Sequence, residues 1–454
     1  MSKTLCGMLI AVWALLFTPG PCKAGSRADV NDIAESYVKL VLEIGLYDDA
    51  YVDSYFGPSE WKPLETAKED PFPAERLGGR AGELIGRLAK VNPRGFSAME
   101  RQRLAYLQQH LSSAKTRIDL LAGRKMSFDE ESKALFDVVA PARDEAYFQN
   151  IIRKLDQALP GSDDLYWRFN SYASRFTVPH GKLEQVLKAL IAEDRRRTQE
   201  HIPLPEDERY DLQFVAARPW AAAATFKGNG LSLIEVNSQV PFGLADVETL
   251  AAHEVYPGHH LYMTLLDKNL VKDRKWLEYT VMLLYSPLAV IAEGLAEYGC
   301  EDLLMTPAER IDFNRKTLLP LVGLDSAEIE NYQRVMQLKD ELDDALTAAA
   351  RQYLDGRMTR DEMRDWLRRY GLMSAGGIEG LIAFVEKDRS YVVTYTTGRQ
   401  LVRDYIEKHS GPAADSARRW QVFYTLLSTP QTPSGLMEAA GKDTVNSRGP
   451  GGRR

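Results

Sequence analysis

Residues 250–263, LAAHEVYPGHHLYM, place His253, Glu254, His259 and His260 within eight positions. The chain has seven histidines, so three of them fall in this one segment. Neutral imidazole is a common zinc ligand. A carboxylate directly after the first imidazole suits the deprotonation of a metal-bound water. An ordinary polar cleft has no need of that adjacent acid. The pattern points to metal-assisted hydrolysis with one zinc ion per chain, Glu254 acting as the base.

The spacing is unusual. In the common HExxH motif the second histidine follows the first by four residues. Here the interval is six or seven, and Pro257-Gly258 intervenes. On an undisturbed helix His260 would return to the face of His253, but about 10 Å along the axis. That is too far for one zinc with Zn–N bonds of ~2 Å. Pro257 has no N–H to offer the carbonyl of His253, so the helix must kink or widen. Taken up as a two-residue bulge, Pro257-Gly258 brings His259 to the position of the second ligand. His260 is the alternative ligand, or a hydrogen-bonding support for one.

A catalytic zinc keeps three protein ligands and a place for water, whereas structural sites commonly use cysteines. The cysteines are Cys6, Cys22 and Cys300, too few for a cysteine-rich site, so the third ligand should be a carboxylate. Glu293 in SPLAVIAEGLAEYGCEDL is the candidate. Ser286-Pro287 is a favourable helix start, and Glu293, Glu297 and Glu301 then share one face. Alone, such a row reads as a solvated face, but Ala292, Leu295 and Ala296 make the surroundings apolar. Gly294 would admit a second helix at close range. Glu297 could hold a metal-bound histidine by its other nitrogen.

The elements that must position these groups are mostly helical. Apolar spacing near 3.6 marks residues 29–47, 97–122, 129–140, 144–158, 181–200 and 322–354. Asp246 is placed to cap a helix beginning near Val247. Residues 70–79 read as a proline-punctuated loop, and 201–208 as a loop between a helical part (25–200) and a metal-binding part (201–438). Strand signals lie at 212–220, 221–227 and 231–237, with Gly228-Asn229-Gly230 as a hairpin turn. The expected fold is mainly α with a small antiparallel sheet beside the metal helix, where an edge strand could pair with an extended substrate.

Residues 5–17 are apolar, Lys3 precedes them and Cys22-Lys23-Ala24 follows, the plan of a signal peptide over 1–24. A secreted or periplasmic protein is expected, with lipidation at Cys22 as a lesser option and no internal disulfide. Residues 439–454 read as a disordered tail. The formal net charge of −7 becomes more negative when Lys3 and Lys23 leave, which argues against nucleic acid as a partner. No segment beyond the leader is long and apolar enough to span a membrane. Oligomeric state is not encoded in any pattern found.

HEVYPGHH (253–260) followed by AEGLAEY (292–298) resembles the HExxPGHH…EGxAxY pattern of the bacterial secreted proteins and lipoproteins grouped as domain of unknown function 885. YDDAYVDSYFGPSEW (47–61) and SYVVTYTTGRQLV (390–402) are also similar to that family, so the resemblance spans most of the mature chain. The family in turn resembles helical zinc peptidases with a downstream glutamate ligand, the thermostable-carboxypeptidase and oligopeptidase groups. GHHLY is similar to their GHALY-type segment. The resemblance implies a large helical, gluzincin-like fold with His253, His259 and Glu293 on zinc and Glu254 as base. Short peptides or other amides are the implied substrates. Tyr395 is the candidate donor to an oxyanion, with Tyr391 its rival. Arg218 and Arg399 are candidates for a substrate carboxylate, and Asn237 for a substrate carbonyl or an ordinary turn. The same residues would serve a zinc esterase or amidase. The competing class is an envelope protein that binds zinc without catalysis.

Overall fold

The computed structural model describes residues 26–218, 220–411 and 415–442. The expected leader and residues 443–454 of the expected tail lie outside them. The N-terminal part forms α1 (Arg27–Ile44), α2 (Ala74–Leu88), α3 (Ala98–Leu121), α4 (Phe128–Phe136), α5 (Glu145–Ala158), α6 (Leu165–Ser174) and α7 (Leu183–Gln199). Ser97 and Glu100 close a reciprocal cap on α3, which satisfies N–H groups left free by the first turn. Tyr106, Leu107, Leu111, Ala114 and Ile118 then bury one stripe of it. Residues 74–79, expected as loop, are helical. Pro71 and Pro73 precede α2 rather than interrupt it, and Leu77, Ala81, Leu84 and Leu88 give it a buried face.

Three strands follow: β2 (Arg209–Val215), β3 (Ala222–Gly228) and β4 (Leu231–Asn237). β3 and β4 pair antiparallel through the expected turn, where Gly228, Asn229 and Gly230 have φ of +83°, +53° and +71°. Such left-handed positions favour Gly and Asn. β4 inserts between β2 and β3, so β2 pairs with it in parallel. The sheet is therefore mixed rather than purely antiparallel. A second, two-stranded sheet pairs β1 (Val52–Tyr55) with β5 (Val281–Leu283). These strands are too short to show a period in the sequence.

The central helices are α8 (Leu244–Glu254), α9 (His259–Leu266) and α10 (Pro287–Tyr298). α10 is buried on all sides from Pro287 to Ala296, as expected of a helix apolar all round. Then come α11 (Pro307–Phe313), α12 (Leu319–Val322), α13 (Ile329–Asp340), α14 (Asp344–Leu354), α15 (Arg360–Trp366), α16 (Ala375–Asp388), α17 (Val393–Ser410), α18 (Ser416–Ser428) and α19 (Pro433–Ala439). The long pattern at 322–354 is thus two helices. Between them the backbone tightens to i→i−3 bonds at Leu342, Asp343 and Ala345. Gly294 of α10 crosses Gly398 of α17 backbone to backbone. A Cβ on Gly294 would lie 2.4 Å from the Gly398 carbonyl, and one on Gly398 would lie 2.6 Å from the Val290 oxygen. The close approach expected at Gly294 is present, and it brings α17 against the face that carries Glu293. Among the described residues no helix is long and apolar enough to cross a membrane.

Candidate metal centre

α8 starts a turn earlier than expected. Gly243 occupies the cap position, and Asp246 reaches back to accept its N–H at 2.7 Å. Val247, Leu250 and Ala251 bury the helix, and His253 and Glu254 close its last turn. The chain then leaves the helix. The Tyr256-Pro257 peptide is cis, and α9 begins afresh at His259. The bulge expected inside one helix is instead a break between two. Pro257 cannot continue the ladder. The N–H of Gly258 folds back onto the Ala252 carbonyl at 3.0 Å. A Cβ on Gly258 would sit 1.8 Å from the His253 carbonyl oxygen, so only glycine passes there. The break turns His259 against His253, with ring centroids 4.6 Å apart and planes at 87°.

α10 supplies the acid. Ser286 is its extended cap residue and Pro287 its first turn, as expected. The β1–β5 pairing holds the preceding segment, with Leu284 N–H donating to Tyr51 at 3.0 Å. Glu293 Oε2 lies 3.3 Å from His253 Nε2 and 3.6 Å from His259 Nε2. One donor atom from each of the three residues falls within 4.8 Å of the others. Ligand atoms on a tetrahedral zinc with ~2.0–2.1 Å bonds stand about 3.3 Å apart, so the donor set and its spacing fit zinc. Glu293 Oε2 is buried without a hydrogen-bond partner among the described residues. Such a group calls for an explanation, and a shared cation supplies one. Its other oxygen accepts from Tyr391 Oη at 2.7 Å.

Glu297 Oε1 lies 3.2 Å from His253 Nδ1, the nitrogen turned away from the cluster. This is the supporting contact expected of Glu297, and it leaves Nε2 facing the cluster. Burial works against a charged His253, yet Glu293 and Glu297 outweigh it and hold the imidazole well above its ordinary pKa. Burial likewise opposes the Glu293 charge, but His259 and His253 keep that carboxyl below the usual range. In the metal-free chain the Glu293 carboxylate is thus kept ionised.

His260 stands apart. It is buried, its Nε2 donates to Glu208 Oε1 at 2.9 Å and its Nδ1 lies 2.8 Å from Ser232 Oγ. Neither nitrogen is left for the cluster, and among the described residues no side-chain hydrogen bond joins it to His253 or His259. Helical geometry explains this: consecutive residues at the start of α9 point about 100° apart.

Glu254 is buried at the end of α8. Tyr395, near the start of α17, makes no side-chain hydrogen bond among the described residues. Burial first, and then the charges of Glu293, Glu297 and Glu254, push its phenol well above the ordinary pKa, which keeps it a donor. Tyr391, its rival, is already engaged with Glu293. Asn237 binds the Arg218 and Trp220 carbonyls at 3.0 and 3.3 Å, the turn role. Arg218 is exposed and pairs with Glu235 at 3.3 Å. Arg399 is half-buried on Asp302 at 2.8 Å. Neither arginine meets the metal cluster.

One acid that the sequence reading did not single out is influenced by the charges of the cluster. Asp53 on β1 is solvent-accessible yet flanked by protein. Desolvation raises its carboxyl; His259 opposes that, while Glu293 and Glu254 reinforce it. The only signal was its place inside the family-like segment 47–61.

No family model matches the chain, and no curated protein matches it. Among solved structures it is similar to the putative lipoprotein from Colwellia psychrerythraea, at 14% identity and a TM-score of 0.49, over 82% of this chain and 67% of that one. It is similar to Trypanosoma cruzi metallocarboxypeptidase 1 at 13% identity and a TM-score of 0.49, over 92% and 97% of the two chains. A putative lipoprotein of unknown function from Shewanella oneidensis gives 14% identity and a TM-score of 0.46, over 80% and 72%.

Proposed function

We propose that this protein is a secreted or periplasmic zinc-dependent hydrolase that cleaves amide bonds of short peptides. The convergence of His253, His259 and Glu293 on one point, with Glu254 next to His253 in the chain, carries the reading. Zinc held by those three residues would polarise a carbonyl and lower the pKa of a bound water toward ~7. Glu254 accepts the proton of the attacking water and returns it to the leaving amine. Tyr395 donates its free hydroxyl to the developing oxyanion. Glu297 holds His253 in the tautomer that ligates, and Tyr391 orients Glu293. The kinship with the domain of unknown function 885 family, and through it with metallocarboxypeptidases, belongs to the same proposal.

The test is elemental analysis of mature protein purified without chelator, followed by turnover of a mixed-peptide pool. One zinc per chain and hydrolysis abolished by chelation are expected. Iron, cobalt or manganese in its place would change the metal and keep the ligands. Glu254→Gln should keep the zinc and lose turnover. Zinc bound with no turnover of any peptide, amide or ester would leave a zinc-binding envelope protein. No metal after incubation with zinc would sink the hydrolase reading.

A further inference from the structure

The turn that leads from α16 into α17 is held at four consecutive residues. Asp388 Oδ1 accepts from Tyr285 Oη at 2.7 Å, and Tyr285 directly precedes Ser286, the cap of α10. Arg389 Nε donates to Glu131 Oε2 at 2.7 Å. Ser390 donates to Glu131 Oε1 twice, from its hydroxyl at 2.7 Å and from its N–H at 3.3 Å. Tyr391 Oη donates to Glu293 Oε1 at 2.7 Å, and Tyr395 follows one turn later on α17.

Arg389 has φ +53° and ψ −116°, a positive-φ conformation that glycine adopts freely and other residues rarely do. Such a residue keeps it only where the surroundings over-determine it. Here the Arg389 N–H closes α16 on the Val385 carbonyl, and the guanidinium is drawn to Glu131. Glu131 belongs to α4, in the N-terminal helical part, and is 2% exposed. Among the described residues its side chain bonds only to Arg389 and Ser390. A buried acid is costly unless paired, and every partner of this one lies in the turn. Further along the same helix, Phe136 sets its ring edge-on to that of Tyr391, with centroids 6.0 Å apart and planes at 78°. α4 therefore grips both the backbone before Tyr391 and the Tyr391 ring.

We propose that Glu131 is a positioning residue for the metal centre. It fixes Arg389 and Ser390, and the turn so fixed sets Tyr391 on Glu293. With Oε1 held by Tyr391, the unpartnered Oε2 of Glu293 is directed at His253 and His259, as an outer hydrogen bond orients a ligand. Glu131 makes no hydrogen bond to the cluster, so it acts only through the turn. The effect on zinc rests on the metal-ligand reading of Glu293. The link from Glu131 to Tyr391 belongs to the metal-free chain and is tested there.

The experiment places 3-fluorotyrosine at position 391 of the mature, metal-free chain and records its fluorine resonance. Glu293→Ala gives the resonance of a Tyr391 without its partner. Glu131→Ala should move the wild-type resonance most of the way to that position. Glu131→Gln keeps an acceptor for Ser390 and should restore much of the wild-type signal. Ser390→Ala removes one bond and leaves the Glu131–Arg389 pair, so it keeps the test decisive if Glu131→Ala fails to fold; it should move the resonance in the same direction. Zinc affinity, read by chelator competition, should fall about tenfold in Glu131→Ala. In a Tyr391→Phe background the same substitution should cost less than about twofold, because residues that act through one another are not additive. A resonance unmoved in both Glu131→Ala and Ser390→Ala, or equal zinc losses with and without the Tyr391 hydroxyl, overturns the proposal. A moved resonance in a chain that binds no zinc leaves the hold of Glu131 on Tyr391 standing and removes the metal reading of Glu293. Zinc binding with an unmoved resonance does the reverse.

Discussion

His259 and His260 are neighbours in the chain, and their surroundings treat them in opposite ways. His260 sits in a network that is closed. Glu208 takes its Nε2, Ser232 meets its Nδ1, and Tyr256 and Arg195 complete Glu208. That network ties β4, the loop before β2 and the start of α9 together. His259 and His253 sit in a cluster that is left open. Its donors face one another at 3.3 and 3.6 Å, and Glu293 Oε2 has no hydrogen bond. Buried polar groups are normally satisfied, and departures concentrate where function requires them. The comparison separates a histidine whose partners are satisfied from histidines set against a buried, unsatisfied carboxylate oxygen.

Substitution breaks the comparison most directly. Glu293→Gln keeps the shape and removes the charge. It should weaken zinc binding by more than about 100-fold, beyond what loss of a supporting contact costs, with little change in the melting temperature of the metal-free chain. His260→Ala should do the opposite. It leaves Glu208 buried beside an empty space and should cost about 2–4 kcal/mol of unfolding free energy, while zinc stoichiometry stays at one. Competition with a chromogenic chelator and urea unfolding measure the two effects. Zinc loss in the His260 variant with stability intact would reverse the assignment.

Glu297→Gln is the intermediate case. It keeps a group near His253 Nδ1 but loses the charge-assisted bond. Zinc affinity should fall about 10–100-fold, the range for an outer hydrogen-bonding partner, and the metal-free chain should melt at nearly the wild-type temperature. An unchanged affinity would show that Glu297 does not support the histidine.

How much of this was readable in the chain depends on what each feature needed. Metal ligands come from few residue types, so His253, His259 and Glu293 stood out against an apolar helix. Gly294 foretold a close helix crossing because a small residue beside a buried acid has few other uses. Pro257-Gly258 marked a disturbance, but a bulge and a break begin with the same missing N–H. Only the fold shows that Gly258 lies on the His253 carbonyl. β1 and β5 have four and three residues, too short for a period. The parallel pairing of β2 depends on β4 entering between β2 and β3, a tertiary event with no local signal. Asp53 is one aspartate in a segment rich in them, and nothing in the sequence ties it to the histidines.

The smallest effect sharpens the comparison through pH. Burial alone would raise the Glu208 carboxyl, but its bonds to His260 and Arg195 hold it below the ordinary carboxylate range. Its folded pKa is thus depressed relative to the unfolded chain. Where the unfolded state binds more protons, stability rises with pH. The contribution of Glu208 is therefore complete above the ordinary carboxylate pKa and is lost as pH falls through the folded value. In metal-free protein, Glu208→Gln should be less stable than wild type at neutral pH. The gap should narrow as pH falls below about 4.5, where the unfolded glutamate takes its proton. Chemical unfolding at a series of pH values reads this out. Zinc plays no part in it, because among the described residues the Glu208 side chain meets only His260, Tyr256 and Arg195. A gap that stays constant with acid would mean that Glu208 acts by packing and not by charge. The closed network would then be held by shape, and hydrogen-bond satisfaction would no longer explain why His260 differs from His259.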